Sequence, residues 1–356
     1  MASPATTSDA TPPPIPDYEL LRRIGQGSYG DVWLARGLTG AYRAIKVVWR
    51  DRFPDAEPFE REFTGLKKIM AIALPEAGQL ALLHVGQNET AGFFYYVMEL
   101  ADDVETGRAI NPARYAPLTL KEVKARRGRL PAAECVTFGV ALARSLAGLH
   151  AHGLVHRDIK PANVILIGGV PKLADIGLVA ETAATMSYVG TEGFVPPEGP
   201  GKPAADVYAL GRLLYELATG LDREEFPRLP PELNQVSDRR LLLELNEIIL
   251  RACEPAPDRR YRAASALLAD LLVLQAGRSL RRRFGRGSLM LATALVVVGA
   301  AAALYFFRAP VVLPSAPPPP APPATAATKS LAVLPFENMN ADKDDAFFAT
   351  AFTRRS

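Results

Sequence analysis

His156-Arg157-Asp158-Ile159-Lys160-Pro161-Ala162-Asn163 places an acid, a base and an amide in one short stretch. Asp158 can accept a proton from an attacking hydroxyl. Lys160 can neutralise charge on a group in transfer, and Asn163 can offer its carbonyl oxygen to a divalent metal. Phosphoryl transfer asks for those three services, because its catalysis is mostly positioning and charge stabilisation. By itself the run also fits a charged surface turn, so its neighbours decide.

Upstream the chain is β-like. Ile24-Gly25-Gln26-Gly27-Ser28-Tyr29-Gly30-Asp31-Val32 has three glycines that let a hairpin backbone approach phosphates without Cβ clashes. Val32-Trp33-Leu34 continues as a strand, where a dinucleotide-binding unit would open a helix. Ala44-Ile45-Lys46-Val47-Val48 is an apolar strand with one lysine, costly to bury unless paired; an edge lysine reaching solvent is the alternative. Phe59, Phe63, Leu66 and Ile69 fall at helical spacing, with Glu60 and Glu62 on the same segment. Leu80–Leu83 and Phe93–Met98 read as an antiparallel pair separated by Gly86-Gln87-Asn88-Glu89. Residues 102–129 are long and polar, with a short insertion over Tyr115–Leu120 that acquires no task. Downstream, Pro131 starts a helix to His152, and Val164–Ile167 with Lys172–Ala174 forms a hairpin about Gly168-Gly169. Asp206 opens an apolar helix through Leu217, and a last helix covers Ala263–Gln275.

In this order, over residues 17–276, the motifs resemble the eukaryotic-like (Hanks-type) Ser/Thr protein kinases of bacteria, with their G-x-G-x-x-G-x-V, H-R-D-x-x-x-x-N and D-F-G patterns. The resemblance implies an α+β, bilobal protein kinase fold, with ATP and Mg²⁺ (or Mn²⁺) as cofactors. It implies that Asp158 and Lys160 are catalytic. Lys46 would position the ATP phosphates, paired with Glu62, while Glu60 stays in solvent. Gly25, Gly27, Gly30, Val32 and Ala44 would surround the nucleotide. Met98 would sit at the back of the pocket, with the backbone of Glu99 and Ala101 on the adenine edge. Asn163 and Asp175 would hold metal. Asp175-Ile176-Gly177 replaces the Phe of D-F-G by Ile, which keeps the metal carboxylate and leaves open whether a Phe-flip inactivation operates.

Further roles follow from the same resemblance. His156 is structural, and Arg157 is an exposed cation that pairs with a phosphate on the activation loop. Asp206 braces the backbone around Arg157, unless it is a plain helix cap. Glu198, in Pro196-Pro197-Glu198 where the family has A-P-E, forms an ion pair with Arg260. Thr191 lies where a family Thr bonds the catalytic Asp and Lys. Thr182, Thr185 and Thr191 are candidate phosphosites, the first two favoured.

The chain of 356 residues suits a two-lobed domain plus attachments. With 41 Lys and Arg against 38 Asp and Glu, its net charge of +3 does not point to nucleic acid as a partner. Cys135 and Cys253 read as small core residues, and the histidines lack zinc-ligand spacing. Residues 1–16 read as a disordered tail, 17–101 as the small lobe and 102–276 as the large lobe. The basic juxtamembrane segment 277–287 precedes a transmembrane helix over 288–307, long enough for a bilayer's hydrocarbon core. Arg278, Arg281, Arg282, Arg283 and Arg286 crowd one flank, and Arg308 stands nearly alone on the other. The positive-inside rule then puts the kinase in the cytoplasm and the C-terminus outside the bacterial inner membrane. Residues 308–328 form a Pro/Ala-rich linker. Residues 329–356 resemble the start of a TolB-like N-terminal domain and read as a truncated extracytoplasmic segment.

The leading reading is a single-pass, membrane-anchored Ser/Thr protein kinase of bacterial signalling. It would act on Ser/Thr hydroxyls of proteins, its own activation loop included, and a second copy of the chain is an open partner. A pseudokinase scaffold that binds ATP is the alternative, favoured by loss of Lys46, Asp158 or Asp175; all three are present. A small-molecule phosphotransferase is the third, and the Gly190–Glu198 segment argues against it.

Overall fold

The computed structural model describes residues 12–27, 29–72, 78–175, 180–181 and 191–279. The expected membrane span, the linker, the TolB-like stretch, Ile176, Gly177, Thr182 and Thr185 lie outside the described residues.

Five antiparallel strands build the small lobe: β1 (Tyr18–Gln26), β2 (Gly30–Gly37), β3 (Tyr42–Trp49), β4 (Leu82–Asn88) and β5 (Phe93–Met98). Their order across the sheet is β1-β2-β3-β5-β4. Side chains alternate between faces along a strand, and this sheet uses both. Trp33, Ile45, Val47, Phe93, Tyr95 and Val97 pack on one face. Ala44, Val48, Phe94, Tyr96 and Met98 take the other, against Phe59, Leu66 and Ile69 of helix α1 (Ala56–Ile72). Lys46 lies between Ala44 and Val48 in this alternation, so it shares the face that α1 covers.

The sequence places the β4–β5 turn at Gly86–Glu89, but the turn comes later, at Glu89–Gly92, and β4 runs through Gly86. The glycine serves packing instead of a turn: a Cβ on Gly86 would stand 2.4 Å from the Tyr95 ring opposite it.

The large lobe is helical. Residues 120–127, inside the segment read as polar, form α2 (Leu120–Arg127), with Leu120 and Val123 buried and Thr119 accepting the Glu122 N–H as N-cap. Then come α3 (Ala132–Ala151), β6 (Leu154–Val155), the hairpin β7 (Val164–Ile167) and β8 (Val170–Leu173), and β9 (Ala180–Glu181). Helices α4 (Pro203–Thr219), α5 (Arg239–Ala252) and α6 (Ala264–Gln275) complete it. Helix α4 begins at Pro203, so Asp206 sits in its first turn instead of opening it. The sequence reading left out α5, although Leu242, Leu245, Ile249 and Ala252 have helical spacing and are buried.

Helix α3 is the centre of this lobe. Leu142, Leu146 and Leu149 are fully buried, each contributing about 1.5–3 kcal/mol. Among the described residues α3 alone is long and apolar enough to cross a membrane, yet 61% of its apolar window is buried in the protein. It is a core helix. Cys135 and Cys253 are free and buried.

Candidate active site

The segment from His156 to Lys160, between β6 and β7, is irregular, so its backbone groups need partners from elsewhere. Asp206, 2% exposed, supplies them. Its Oδ2 accepts from the His156 N–H at 2.7 Å and its Oδ1 from the Arg157 N–H at 2.9 Å. The His150 ring lies 3.0 Å from Oδ2 through Nε2. Because the Ala264 N–H points at His150 Nδ1 (3.4 Å), the ring proton belongs on Nε2, which donates to Asp206. This brace holds Arg157 at φ +73°, a left-handed conformation unusual for a residue with a side chain. Arg157 was expected to be exposed. It is half-buried, and burial lowers its pKa despite the Asp206 carboxylate nearby. His156 is fully buried, its Nε2 3.1 Å from the Ala174 carbonyl.

Beyond that turn the side chains converge. Lys160 Nζ stands 2.8 Å from Asp158 Oδ2. Asn163 Nδ2 donates to the Asp158 carbonyl (3.0 Å) and to Oδ2 (2.7 Å). Thr191 Oγ1 donates to Asp158 Oδ1 at 3.0 Å and accepts from Lys160 at 2.8 Å. Asp158, only 7% exposed, thus has both oxygens oriented by donors. Of the three candidate phosphosites Thr191 is the one described, and its hydroxyl is already engaged.

Lys46 forms an ion pair with Asp175. The expected partner was Glu62, and this pair is not made: Lys46 has no carboxylate of Glu62 within ion-pair distance. Asp175, two residues past the end of β8 and at φ +59°, lines the same cleft and pairs with the ammonium instead. Burial opposes the charge on Lys46, but Tyr96, Asp175 and Glu62 outweigh it and raise its pKa. Burial likewise opposes the Asp175 carboxylate, and Lys46 wins, lowering it. Glu62 is 8% exposed, and burial pushes its carboxyl up to about 7, with Lys46 acting the other way.

These groups line one cleft of about 700 Å³ between the lobes. Gly25, Gly27, Val32, Ala44, Lys46, Glu62, Met98, Asp158, Lys160, Asn163 and Asp175 all face it. Gly30, Glu99 and Ala101 do not line it. Gly30 is needed by the sheet: a Cβ there would stand 2.3 Å from the Val47 carbonyl oxygen. The Glu99 side chain turns away and fastens the interlobe segment, accepting from the Ala81 N–H (3.0 Å) and Lys172 (2.5 Å). Glu198 and Arg260 lie apart from the cleft and make a two-point pair, at 2.6 and 3.3 Å.

Among the lining residues that sequence reasoning did not assign to the site, Tyr96 and Tyr115 stand out. Tyr96 is fully buried opposite Lys46 in the β3–β5 register, with Lys46 Nζ 6.0 Å from its ring centre. Its period on β5 was a usable signal. Tyr115 comes from the segment to which no task was assigned, and only tertiary structure brings it to the cleft.

The comparisons with known proteins agree with this geometry. RqkA, a DNA damage-responsive serine/threonine-protein kinase of Deinococcus radiodurans, is 32% identical over 257 residues, 68% of this chain and 33% of its own. A probable serine/threonine-protein kinase of Clostridium perfringens is 29% identical over 71% of this chain and 38% of its own. The serine/threonine-protein kinase PknB of Mycobacterium leprae is 28% identical over 75% of this chain and 44% of its own. The chain thus spans between a third and a half of the length of these relatives. A family model, the protein kinase domain, matches residues 18–276. With that match over most of its length, and a sheet-rich small lobe facing a helical large lobe across the cleft, this chain belongs to the protein kinase family.

Proposed function

We propose that the chain is a Ser/Thr protein kinase that transfers the γ-phosphate of ATP to Ser and Thr hydroxyls of proteins, its own activation loop included. The observation that carries this is the Asp158–Lys160–Asn163–Thr191 cluster facing Lys46 and Asp175 across one cleft. Together these side chains supply a proton acceptor, two cations and two metal-capable oxygen donors along one cleft.

The divalent cation, Mg²⁺ or Mn²⁺, fits this donor set. The Asn163 amide nitrogen is spent on Asp158, which leaves its carbonyl oxygen as a metal donor, and the Asp175 carboxylate is kept ionised by Lys46. Asn163 and Asp175 would hold the ion, which supplies charge neutralisation on the nucleotide phosphates when bound. The chain's own residues do the rest. Lys46 orients phosphate oxygens. Asp158 orients the acceptor hydroxyl and takes its proton on a carboxylate oxygen. Lys160, 2.8 Å away, stabilises charge beside it. Thr191 holds Asp158 and Lys160 in register. Glu62 supports Lys46 from α1 once its proton is lost.

Single-pass anchoring in a bacterial inner membrane belongs to the same proposal. Its support is the apolar run Leu289–Phe307 with arginines on one flank. Thr182 and Thr185 are the acceptor sites proposed within the activation loop. Phosphosite mapping of the full chain after incubation with Mg·ATP tests the kinase reading, with phosphate on either Thr as the expected result. A C-terminal topology reporter tests the anchor: an exported signal supports it, and a cytoplasmic one refutes it.

A further inference from the structure

Residues 103–117, left without a task by the sequence, are tightly organised. The Asp103 carboxylate accepts from the N–H groups of Glu105 (2.8 Å), Thr106 (2.9 Å) and Ala116 (2.8 Å), and from the Thr106 hydroxyl (3.0 Å). Backbone bonds between Asp103 and Gly107 (2.6 and 3.0 Å) and from Val104 to Ala116 (2.9 Å) close the segment into a clip. Its base is fixed to the large lobe by Asp102 N–H to the Leu166 carbonyl, at 2.8 Å.

The clip delivers Tyr115 to the wall of the cleft. Tyr115 is 2% exposed, and both it and Pro117 line the cleft. The Tyr115 hydroxyl donates to the carbonyl of Ala101, on the segment that joins the lobes, at 3.1 Å. The Tyr115 carbonyl in turn accepts from the guanidinium of Arg22, on β1 of the small lobe. One residue of the large lobe therefore touches the connecting segment, the nucleotide cleft and the roof above it.

We infer that this clip is part of the nucleotide-binding apparatus, with Tyr115 a positioning residue that fixes the connecting segment and walls the cleft, and Arg22 the tie that holds the two lobes at a set separation there. The inference rests on the kinase reading and gives the insertion a role within it. A buried phenol costs free energy unless its hydroxyl is bonded. Here the bond is spent on the backbone expected beside the adenine edge, which makes its loss a change in cleft geometry. The Arg22 tie joins β1 of the small lobe to the clip of the large lobe, so its loss relaxes the lobes' separation at this end.

The test uses the full chain and two gentle variants, Tyr115→Phe and Arg22→Ala, with a fluorescent ATP analogue as probe. Each removes one hydrogen bond, and one ordinary bond corresponds to about fivefold in an equilibrium constant. The expected result is a rise of about three- to tenfold in the analogue's Kd and in KM for ATP, larger than any fall in kcat, with the KM for the acceptor protein moved less. Arg22→Lys should recover part of the Arg22→Ala loss. Thermal unfolding of each variant separates a folding defect from a binding one. Unchanged nucleotide affinity in both variants, whatever happens to stability, overturns the clip's role and leaves the kinase reading standing. Failure of the wild-type chain to bind the analogue at all overturns the kinase reading and this inference together.

Discussion

Replacing Asp206 by Asn removes one charge and one acceptor from a site only 2% exposed. The carboxylate accepts three hydrogen bonds, from His156 N, Arg157 N and His150 Nε2. The amide keeps one oxygen. If that oxygen takes the Oδ2 place, the NH₂ faces the Arg157 N–H, donor against donor. One buried N–H is then unsatisfied, at about 1–3 kcal/mol. The two surviving bonds change from charge-assisted to neutral and lose about half their strength. With hydrogen bonds to charged groups each contributing about 1.5–3 kcal/mol, the total loss is about 2.5–6 kcal/mol. The lost bond is also the one restraining Arg157 at φ +73°, a conformation costing about 1–3 kcal/mol that persists only while its surroundings hold it. Relaxation there moves the adjacent Asp158, and a displacement of about 1 Å at a reacting group costs about a hundredfold in rate. Urea unfolding of wild type and Asp206→Asn measures the first effect and phosphotransfer to a protein acceptor the second. A stability within about 1 kcal/mol of wild type, with an undiminished rate, would refute the idea that Asp206 braces the catalytic loop.

Three further perturbations test other parts. The Glu62 carboxyl titrates near 7 in the folded protein against 4.5 in the unfolded one, so the folded state keeps a proton that the unfolded state has released. Stability should fall as pH rises from about 4.5 to about 7, and Glu62→Gln should flatten that slope in denaturant titrations of the nucleotide-free chain. Arg260, whose side chain is fully buried, also donates to the carbonyls of Glu254 (3.0 Å), Ala204 (3.0 Å) and Pro255 (3.3 Å). Arg260→Ala strands those acceptors and Glu198 and should lower stability by about 3–5 kcal/mol, and Arg260→Lys, lacking the planar fork, should recover under half of it. Gly30→Ala drives a Cβ into the Val47 carbonyl and should cost about 1–3 kcal/mol in thermal unfolding. Gly27→Ala, whose nearest neighbour would be the Gly30 carbonyl oxygen at 3.7 Å, should cost under about 1 kcal/mol.

Much of this site is written locally. The 156–163 run keeps Asp158, Lys160 and Asn163 within a few residues of one another, so their proximity is local, while Asp206 and Thr191 fix their orientation. Strand alternation put Lys46 on a buried face, and helical spacing marked α1. What sequence could not give were choices among neighbours in space. Both Glu62 and Asp175 lie near Lys46, and only the folded arrangement shows that Asp175 makes the pair. Gly86 and Gly30 have the same side chain whether they turn the chain, approach phosphate or clear a neighbour; the Tyr95 ring and the Val47 carbonyl select the last. Tyr115 reaches the cleft through a clip closed by Asp103, and no periodicity encodes such a closure.

The central claim is that the Asp158 cluster performs phosphoryl transfer. The most direct measurement is transfer of labelled γ-phosphate from Mg·ATP to a generic protein acceptor by the full chain and by Asp158→Asn, with nucleotide binding measured beside it. The account predicts labelled phosphoserine or phosphothreonine with wild type, and a fall of at least about a hundredfold in Asp158→Asn while the nucleotide still binds. Equal transfer by both proteins, or none by a wild-type chain that binds ATP, would contradict it.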